Sequence, residues 1–306
     1  MTQANNTVAN VTFKVARFEP KTEQERARKS SPFAKKRSSP FASSHTTASS
    51  IRARGRRWTQ EYTIQARPND SILQCLLYIK QHIDPTLAFR YSCGHGMCGS
   101  DAVSINGTPT LLCTALISDW AKPVQDEKAF RATGTTKKQV EKKPINNSWG
   151  VIELAALPGF TPQRDLIADI DSMLEQIIAL KPMLQADCVL ATTKEVKVYV
   201  FEYLQHTEQL AKYQKLSDCI ACGICEGSCP VYTGGEAFIG PAALINASRF
   251  INDSRDNATE TRIEAITNAD GIAACQSVRA CSRQCPRGID VGEEIWQLIT
   301  KIQQQN

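Results

Sequence analysis

The sequence predicts an α+β protein with a strand-rich first half and a helical second half. Residues 11–18 and 58–66 alternate apolar and polar side chains, which is typical of strands. From residue 163 onward, apolar residues recur at intervals of three and four, which indicates helices. We therefore predict two domains, at 1–160 and 161–306.

Composition limits the class of protein. The chain has 306 residues, of which 42% are hydrophobic and 22% charged, and this excludes a wholly disordered chain and a polytopic membrane protein. The first ten residues lack the basic and apolar regions of a secretory signal, so we expect a cytoplasmic, prokaryotic protein or a mature chain after processing. Twelve cysteines in such a protein favour metal binding over disulfides.

The first half contains a series of short elements after its first strand. Residues 71–83 have apolar side chains at helical spacing and follow a Ser or Asp cap. A glycine-rich loop with cysteines follows. The remaining predictions are a turn after 103–107, a strand at 111–117, a polar linker at 119–148 and a last strand at 151–154. In the second half, we predict helices at 163–177, 195–213, 241–252, 260–274 and 291–302.

A basic insert interrupts the first two strands at about 19–57. Its residues 21–57 contain eleven Lys or Arg and two Glu, although the whole chain has a net charge of only +5. Ser and Pro are frequent, and SSPFA occurs twice, which places Phe33 and Phe41 in equivalent positions. The insert could bind anionic lipid, nucleic acid or a partner protein. A solvated loop is the commonest meaning of such a composition.

The first group of candidate metal ligands is Cys93, Cys98, Asp101 and Cys113. Its spacing matches the plant-type [2Fe–2S] pattern C-x4-C-x2-C…C, with Asp in the third position. A carboxylate is an anionic oxygen donor that can bind ferric iron, so Asp101 can complete the set. A zinc site is the alternative, but its ligands usually occur in closer pairs. His95 lies in the same loop, and we expect it to be a surface residue.

The second group is a bacterial ferredoxin run, C-x2-C-x2-C-x3-C-P, at 219–230. The same run recurs at 275–286 with Val278 in place of the second cysteine. In this pattern, the last cysteine of each run binds the cluster of the other run. The predicted [4Fe–4S] ligands are therefore Cys219, Cys222, Cys225 and Cys285.

Only three cysteines are left for the other cluster: Cys229, Cys275 and Cys281. Valine cannot bind iron, so we predict a [3Fe–4S] cluster with Val278 at its vacant corner. A pair of zinc sites is the alternative. Cys75 and Cys188 remain outside these sets, and we expect both to be buried as small hydrophobic residues.

Three one-electron centres in one chain indicate an electron-transfer subunit. The sequence has neither a dinucleotide-binding glycine fingerprint nor a Walker loop, so we expect no flavin or nucleotide of its own. The motif order resembles the iron–sulphur subunit of the succinate dehydrogenase and fumarate reductase family, respiratory complex II. LPGFTPQRDLIADID and FIGPAALINASRFINDSRD also resemble segments of that family. The resemblance covers about 60–118 and 150–295.

The resemblance implies a β-grasp [2Fe–2S] domain followed by an α-helical ferredoxin domain. It further implies that electrons come from FAD in a separate catalytic subunit and leave from the [3Fe–4S] cluster to quinone at a membrane anchor, which contains haem in some members. The expected location is peripheral, on the cytoplasmic face of the cell membrane. The role would be succinate oxidation in the tricarboxylic acid cycle and respiratory chain, or fumarate reduction by the same path.

The family's quinone pocket matches this sequence only at Pro230. The other expected positions hold Gly234, Gln276 and Ile299, with Lys301 near the last. The acceptor site is therefore either built differently or serves a different acceptor. Two further classes are a free electron carrier and a nucleic-acid-binding iron–sulphur protein. We expect no nucleic-acid partner, because the positive charge is concentrated in one insert.

Overall fold

The computed structural model describes residues 7–21, 55–122, 147–186, 191–192, 197–198, 205–268 and 270–305. The chain forms two compact units that meet in sequence between Asp169 and Ile170. The boundary predicted from the sequence was 160/161. Most of the basic insert, most of the polar linker and Cys188 lie outside the described residues.

The first unit contains a five-stranded mixed sheet in the order β2-β1-β5-β3-β4. Strand β1 lies antiparallel to β2 and parallel to β5, and β3 is antiparallel to both β4 and β5. The strands are β1 (Ala9–Pro20), β2 (Gly55–Ala66), β3 (Ala102–Ile105), β4 (Thr108–Leu111) and β5 (Ser148–Ala155).

Side-chain alternation explains the central strand. Val11, Phe13 and Val15 are fully buried, whereas Thr12 and Lys14 between them are half-buried. This period of two places one face of β1 in the hydrophobic core. The strands predicted at 11–18, 58–66 and 151–154 are confirmed, and each is longer than predicted.

Helix α1 (Ile72–His82) packs on the buried face of the sheet. Ser71 caps it, because its hydroxyl accepts the backbone N–H of Gln74 while the Gln74 side chain accepts the N–H of Ser71. Cys75 lies in the core and is 4% exposed, as predicted. The mixed sheet with one packed helix agrees with the predicted β-grasp domain.

The predicted strand at 111–117 is wrong. Strand β4 ends at Leu111, the chain turns, and a short helix α2 (Ile117–Trp120) follows. The apolar run Leu-Leu-Cys is consistent with a strand. However, Asp101 accepts the backbone N–H of Leu112 at its carbonyl and that of Cys113 at its carboxylate, which turns the chain back.

The first part of the helix predicted at 163–177 is also wrong. A hairpin of β6 (Thr161–Arg164) and β7 (Ile167–Asp169) precedes helix α3 (Asp171–Ala179). Asp165 forms the turn with a φ of +47°, and its carboxylate accepts the backbone N–H groups of Phe18 and Ala88. Long-range hydrogen bonds therefore outweigh the local apolar spacing.

A buried charge network joins this hairpin to the sheet. The Arg17 guanidinium is 5% exposed and forms ion pairs with Asp84 at 2.7 Å and Asp165 at 2.9 Å. It also donates to the Tyr62 hydroxyl at 2.7 Å. Asp165 thus binds the segment after residue 160 to the first unit, which explains the later domain boundary.

The second unit is helical. Its longer helices are α3, α7 (Pro241–Ile251), α8 (Thr259–Ile266) and α10 (Val291–Gln305). Its shorter elements are a strand pair, β8 (Ala191–Thr192) and β9 (Lys197–Val198), and the helices α4 (Thr207–Ala211), α5 (Ile224–Ser228), α6 (Pro230–Gly234) and α9 (Ala280–Gln284), with 3-10 turns at Gln214–Asp218 and Ile272–Ala274.

The predicted helices at 241–252 and 291–302 are confirmed as α7 and α10. The other two are shorter than predicted. Within 195–213, the described residues include strand β9 and only the short helix α4. Within 260–274, α8 ends at Ile266 because the next residues, T-N-A-D-G, are turn formers.

Helix α7 is the centre of the second unit, and most of its side chains are buried. A second buried ion pair supports the unit, between Arg262 and Asp256 at 2.9 Å. Arg262 also donates to the carbonyls that follow α3, those of Leu180, Lys181 and Met183. Among the described residues, no helix has the length and apolar character needed to cross a bilayer.

Candidate metal centres

The first candidate centre lies at one end of the β3–β4 hairpin. Asp101 immediately precedes β3, and Cys113 follows β4 by two residues. Because Ala102 pairs with Leu111, the hairpin brings these two predicted ligands together, and the Cys113 N–H donates to Asp101 Oδ2 at 2.7 Å. Folding of the hairpin therefore builds half of the predicted ligand set.

Asp101 is buried, with 3% of its surface exposed. Its Oδ1 atom has no hydrogen-bond partner among the described residues. A buried carboxylate oxygen without a partner is costly, usually by about 1–3 kcal/mol or more. The chemistry of this atom fits a metal ion as its missing partner.

The other two predicted ligands lie in the loop before β3. Cys93 Sγ accepts the backbone N–H groups of His95 and Met97, both at 3.4 Å. Hydrogen bonds from Ser100 and Cys93 lower the pKa of Cys98 to about 6. Backbone N–H groups aimed at sulfur are the surroundings that a cluster thiolate needs.

The four predicted ligands therefore lie together. Cys93 is close enough to Cys98 and to Cys113 to affect the pKa of each thiol. Burial, then the neighbouring Asp101, raises the pKa of Cys113 to about 12. A metal cation would be needed to keep this thiol ionised.

Gly96 shows why the loop is glycine-rich. Its φ is +70°, and a Cβ at this position would approach the Thr114 methyl group to 3.0 Å. Its backbone also hydrogen-bonds the Cys113 thiol. Any other residue would therefore push the loop away from the ligands. His95 is exposed, as predicted.

The second candidate centre is a cavity of about 390 Å³, measured with its open mouth. Its wall contains the four cysteines predicted as [4Fe–4S] ligands. The rest of the wall is mostly apolar. The cysteines are Cys219, Cys222, Cys225 and, from the second run, Cys285.

The third candidate centre is a separate cavity of about 360 Å³. It is lined by the three cysteines that were left for the other cluster and by the valine in the fourth position. These residues are Cys229, from the first run, with Cys275, Cys281 and Val278. The two runs thus exchange their last cysteines, as the ferredoxin pattern predicts.

The backbone of the two runs repeats. Ala221 and Gly223 follow the first cysteine of one run by two and four residues and have φ values of +48° and +76°. Ser277 and Arg279 hold the same places in the other run, at +55° and +59°. A short helix follows each pair, α5 and α9. Val278 therefore has the same position in its run as Cys222 has in the other run.

Burial governs the electrostatics of both cavities. It raises the pKa of Cys222 to about 12 and that of Cys281 to about 11, and it holds the pKa of Cys225 well above its usual value. Without a cation these thiols are neutral. Among the described residues, no three or more His, Cys, Asp or Glu side chains are arranged as the ligands of a single metal ion.

One buried acid was missed by the sequence analysis. Glu226 is completely buried, accepts the Ala242 N–H at 2.6 Å and lies 3.1 Å from Cys225 Sγ. Burial raises its pKa. Its charge also acts on Cys229, in the other cavity, so it lies within electrostatic reach of ligands of both cavities. The sequence did contain a signal for this residue, because Glu226 is a charged residue inside a cysteine run.

The residues compared with a quinone pocket do not all lie together. Pro230 and Gln276 line the valine-containing cavity, and Gly234 ends the helix α6 that Pro230 begins. Lys301 instead lines a different cavity of the second unit.

Comparisons with known proteins agree with this geometry. Residues 12–175 match the family described as 2Fe-2S iron-sulfur cluster binding domain, and residues 215–289 match the 4Fe-4S dicluster domain. The class is thus an iron–sulphur electron-transfer protein with two ferredoxin-type domains.

The fumarate reductase iron-sulfur subunit of Mycobacterium tuberculosis is 32% identical over 76% of this chain and 80% of that protein. The subunit of the same name from Escherichia coli O6:H1 is 29% identical over 77% and 82%. This chain belongs to the iron–sulphur subunits of the succinate dehydrogenase and fumarate reductase family, and it is an electron-transfer part of an oxidoreductase.

A solved structure titled Mycobacterium smegmatis Sdh1 complex in the apo form has the same fold. Its TM-score is 0.66, with 98% of both chains covered and 18% identity. This likeness supports the fold, and the order of a 2Fe-2S domain followed by a 4Fe-4S domain comes from the two family matches.

Proposed function

We propose that this chain conducts electrons from a flavin in a partner catalytic subunit, through three clusters, to quinone at a membrane anchor. The observation that carries the proposal is the division of seven cysteines between two cavities. Each cavity is lined by one of the two ligand sets expected from the sequence. Bound clusters would supply one-electron chemistry, and the chain would hold them and exclude water.

For the [2Fe–2S] cluster, we assign Cys93, Cys98, Asp101 and Cys113. The buried, unpartnered Oδ1 of Asp101 supports its place in this set. Backbone N–H groups on the sulfur atoms would stabilise the reduced state, because they favour added negative charge.

For the [4Fe–4S] cluster, we assign Cys219, Cys222, Cys225 and Cys285. For a [3Fe–4S] cluster, we assign Cys229, Cys275 and Cys281, with Val278 at the vacant corner. The second family match is described as a 4Fe-4S dicluster domain, and this description does not mention a three-iron cluster. We therefore infer the number of irons in the second cluster from the residues of this chain. The presence of Val278 in the cavity wall supports three irons.

The partners follow from the family. The relatives named above are subunits, so we propose an FAD-containing catalytic subunit and a membrane anchor, with haem where the anchor holds it. We propose a peripheral location on the cytoplasmic face of the cell membrane. Pro230, in the wall of the valine-containing cavity, is the one family quinone contact that we assign.

We propose succinate oxidation as the working direction. Fumarate reduction is a second candidate, favoured by the names of the curated relatives. Voltammetry of the purified complex with both dicarboxylates would separate them, because the favoured direction gives the larger current near the midpoint potential of the couple.

The test of the three-cluster path is low-temperature EPR of the purified complex, with iron, sulfide and zinc analysis. We expect an oxidised-state [3Fe–4S] signal, replaced after dithionite by signals of reduced [2Fe–2S] and [4Fe–4S]. Zinc in place of iron and sulfide would refute the assignment. Iron and sulfide without the oxidised-state signal would refute the three-iron site alone.

A further inference from the structure

A third cavity, of about 660 Å³ with its mouth, lies in the second unit. No cysteine lines it. Its walls come from α4, the end of α7, the start of α8 and the last turns of α10. Its polar residues other than acids are Gln209, Lys212, Asn252, Ser254, Thr259 and Lys301.

Two carboxylates in the lining are already neutralised. Asp253 forms an ion pair with Arg255 at 2.7 Å, and Asp256 forms one with Arg262 at 2.9 Å. Both acids are buried, and their oxygens also accept hydrogen bonds from nearby groups. The charge left to attract a ligand is therefore the positive charge of the two lysines.

The two lysines lack acidic partners. No ion pair of the described residues includes Lys212 or Lys301. Lys301 is half-buried and donates to Ile251 O at 3.2 Å and Asn252 Oδ1 at 3.4 Å. An ammonium group has three N–H donors, so one remains for the cavity.

The ammonium groups are close enough to interact. Burial, then the charge of Lys212, lowers the pKa of Lys301. Two like charges beside one polar cavity repel each other, and an anion between them would turn that repulsion into attraction.

We propose that this cavity binds a phosphate group between Lys212 and Lys301. A phosphate has several acceptor oxygens, and lysine binds it as a point charge. The hydroxyl groups of Ser254 and Thr259 in the same lining can donate further hydrogen bonds. The phosphate could belong to a soluble compound or to a phospholipid headgroup, since both present the same oxygens.

The test is calorimetric titration of the purified, cluster-loaded complex with inorganic phosphate, at constant ionic strength set with chloride. We expect saturable binding, and we expect Lys212→Gln and Lys301→Gln each to weaken it about tenfold, the usual effect of one charge-assisted hydrogen bond. Lys215→Gln is the matched control, because Lys215 is exposed, pairs with Asp218 and does not line the cavity.

Lys301 also hydrogen-bonds the end of α7, so Lys301→Gln can lower the stability of the fold as well as phosphate binding. Lys212 is exposed, so a loss of binding in Lys212→Gln reports on the cavity itself. Absence of saturable phosphate binding by the unaltered complex would overturn the proposal. Equal weakening by Lys215→Gln and Lys212→Gln would do the same, because it would indicate general charge attraction.

A second arm identifies the source of the phosphate. The complex is mixed with phosphatidylcholine vesicles that contain or lack phosphatidylglycerol, with inorganic phosphate as competitor. A phospholipid headgroup is supported if vesicle binding needs the anionic lipid, weakens in Lys212→Gln and is reduced by inorganic phosphate. Phosphate binding that vesicles do not reduce supports a soluble compound.

Discussion

Asp101 combines two roles in one side chain. Its Oδ2 accepts the Cys113 N–H, which turns the chain after β4, while its buried Oδ1 has no partner among the described residues. The spacing of the cysteines pointed to this residue as a ligand. The hydrogen bond that shapes the loop could not be inferred, because it depends on the register of the β3–β4 hairpin.

Substitution of Asp101 separates the two roles. Asp101→Asn keeps an acceptor for Cys113 but loses the anionic donor, so we expect loss of most [2Fe–2S] cluster with little change in fold. Asp101→Cys restores an anionic ligand and should retain the cluster. Iron and sulfide content and the reduced-state EPR signal are the measurements. Full cluster content in Asp101→Asn would contradict the assignment.

Val278 occupies the place that Cys222 has in the other run. Val278→Cys adds a fourth thiol to the cavity, so we expect conversion toward [4Fe–4S], with loss of the oxidised-state EPR signal and a higher iron content. Val278→Ala is the control and should keep three irons. An unchanged signal and iron content in Val278→Cys would contradict the ligand set.

Sequence patterns predicted which cysteines line each cavity but not the residues around them. The ferredoxin pattern predicted both sets that line the cavities, because in this pattern the last cysteine of each run belongs to the cluster of the other run. Glu226 and Lys212 were not singled out. Glu226 is buried beside Cys225, and Lys212 lines the same cavity as Lys301; only tertiary packing determines these placements.

Among the elements, those with strong local signals were predicted well. Helix α1 has a capping box and an apolar stripe, and helices α7 and α10 have continuous apolar faces. The β6–β7 hairpin was mistaken for helix because its apolar residues also fit a spacing of three and four. The hydrogen bonds of Asp165 with distant backbone groups decided its structure.

The cap of α1 can be tested directly. Ser71→Ala removes the acceptor for the Gln74 N–H, so we expect a loss of about 1 kcal/mol in the free energy of unfolding. Ser118→Ala, at an exposed hydroxyl beside Asp119, should change stability less. Urea unfolding of the full chain, followed by circular dichroism, measures both. Equal losses in the two variants would show that the cap is not responsible.

At the scale of the whole molecule, the first unit depends on contacts between distant parts of the chain. Strand β1 pairs in parallel with β5, and Arg17 on β1 joins Asp84 and Asp165. Burial would raise the pKa of Asp84, but hydrogen bonds from Thr86, Tyr62 and Arg17 outweigh it and hold the pKa well below its usual value.

This network predicts a pH dependence of stability. Because the pKa of Asp84 is lower in the folded state, its contribution is fully present above the unfolded value of about 4 and is lost as pH falls toward the folded value. We expect Asp84→Asn to be less stable at pH 7 by on the order of 1 kcal/mol, with a difference that shrinks below about pH 4.

Thermal unfolding of the full chain between pH 7 and pH 3 is the measurement. Glu61→Gln serves as the control, because its ion pair with Lys14 is exposed and should contribute little. A difference between Asp84→Asn and the unaltered protein that grows in acid would have the wrong sign for this network.

The exchange of Cys229 and Cys285 between the two runs bears on synthesis of the chain. A nascent chain that ends anywhere from 230 to 274 has three of the four thiols of one cavity and only one of the other. The three-cysteine set cannot be completed until Cys281 has been synthesised, and the four-cysteine set cannot be completed until Cys285 has been synthesised. A premature stop in this stretch would therefore leave both sets of cysteines incomplete.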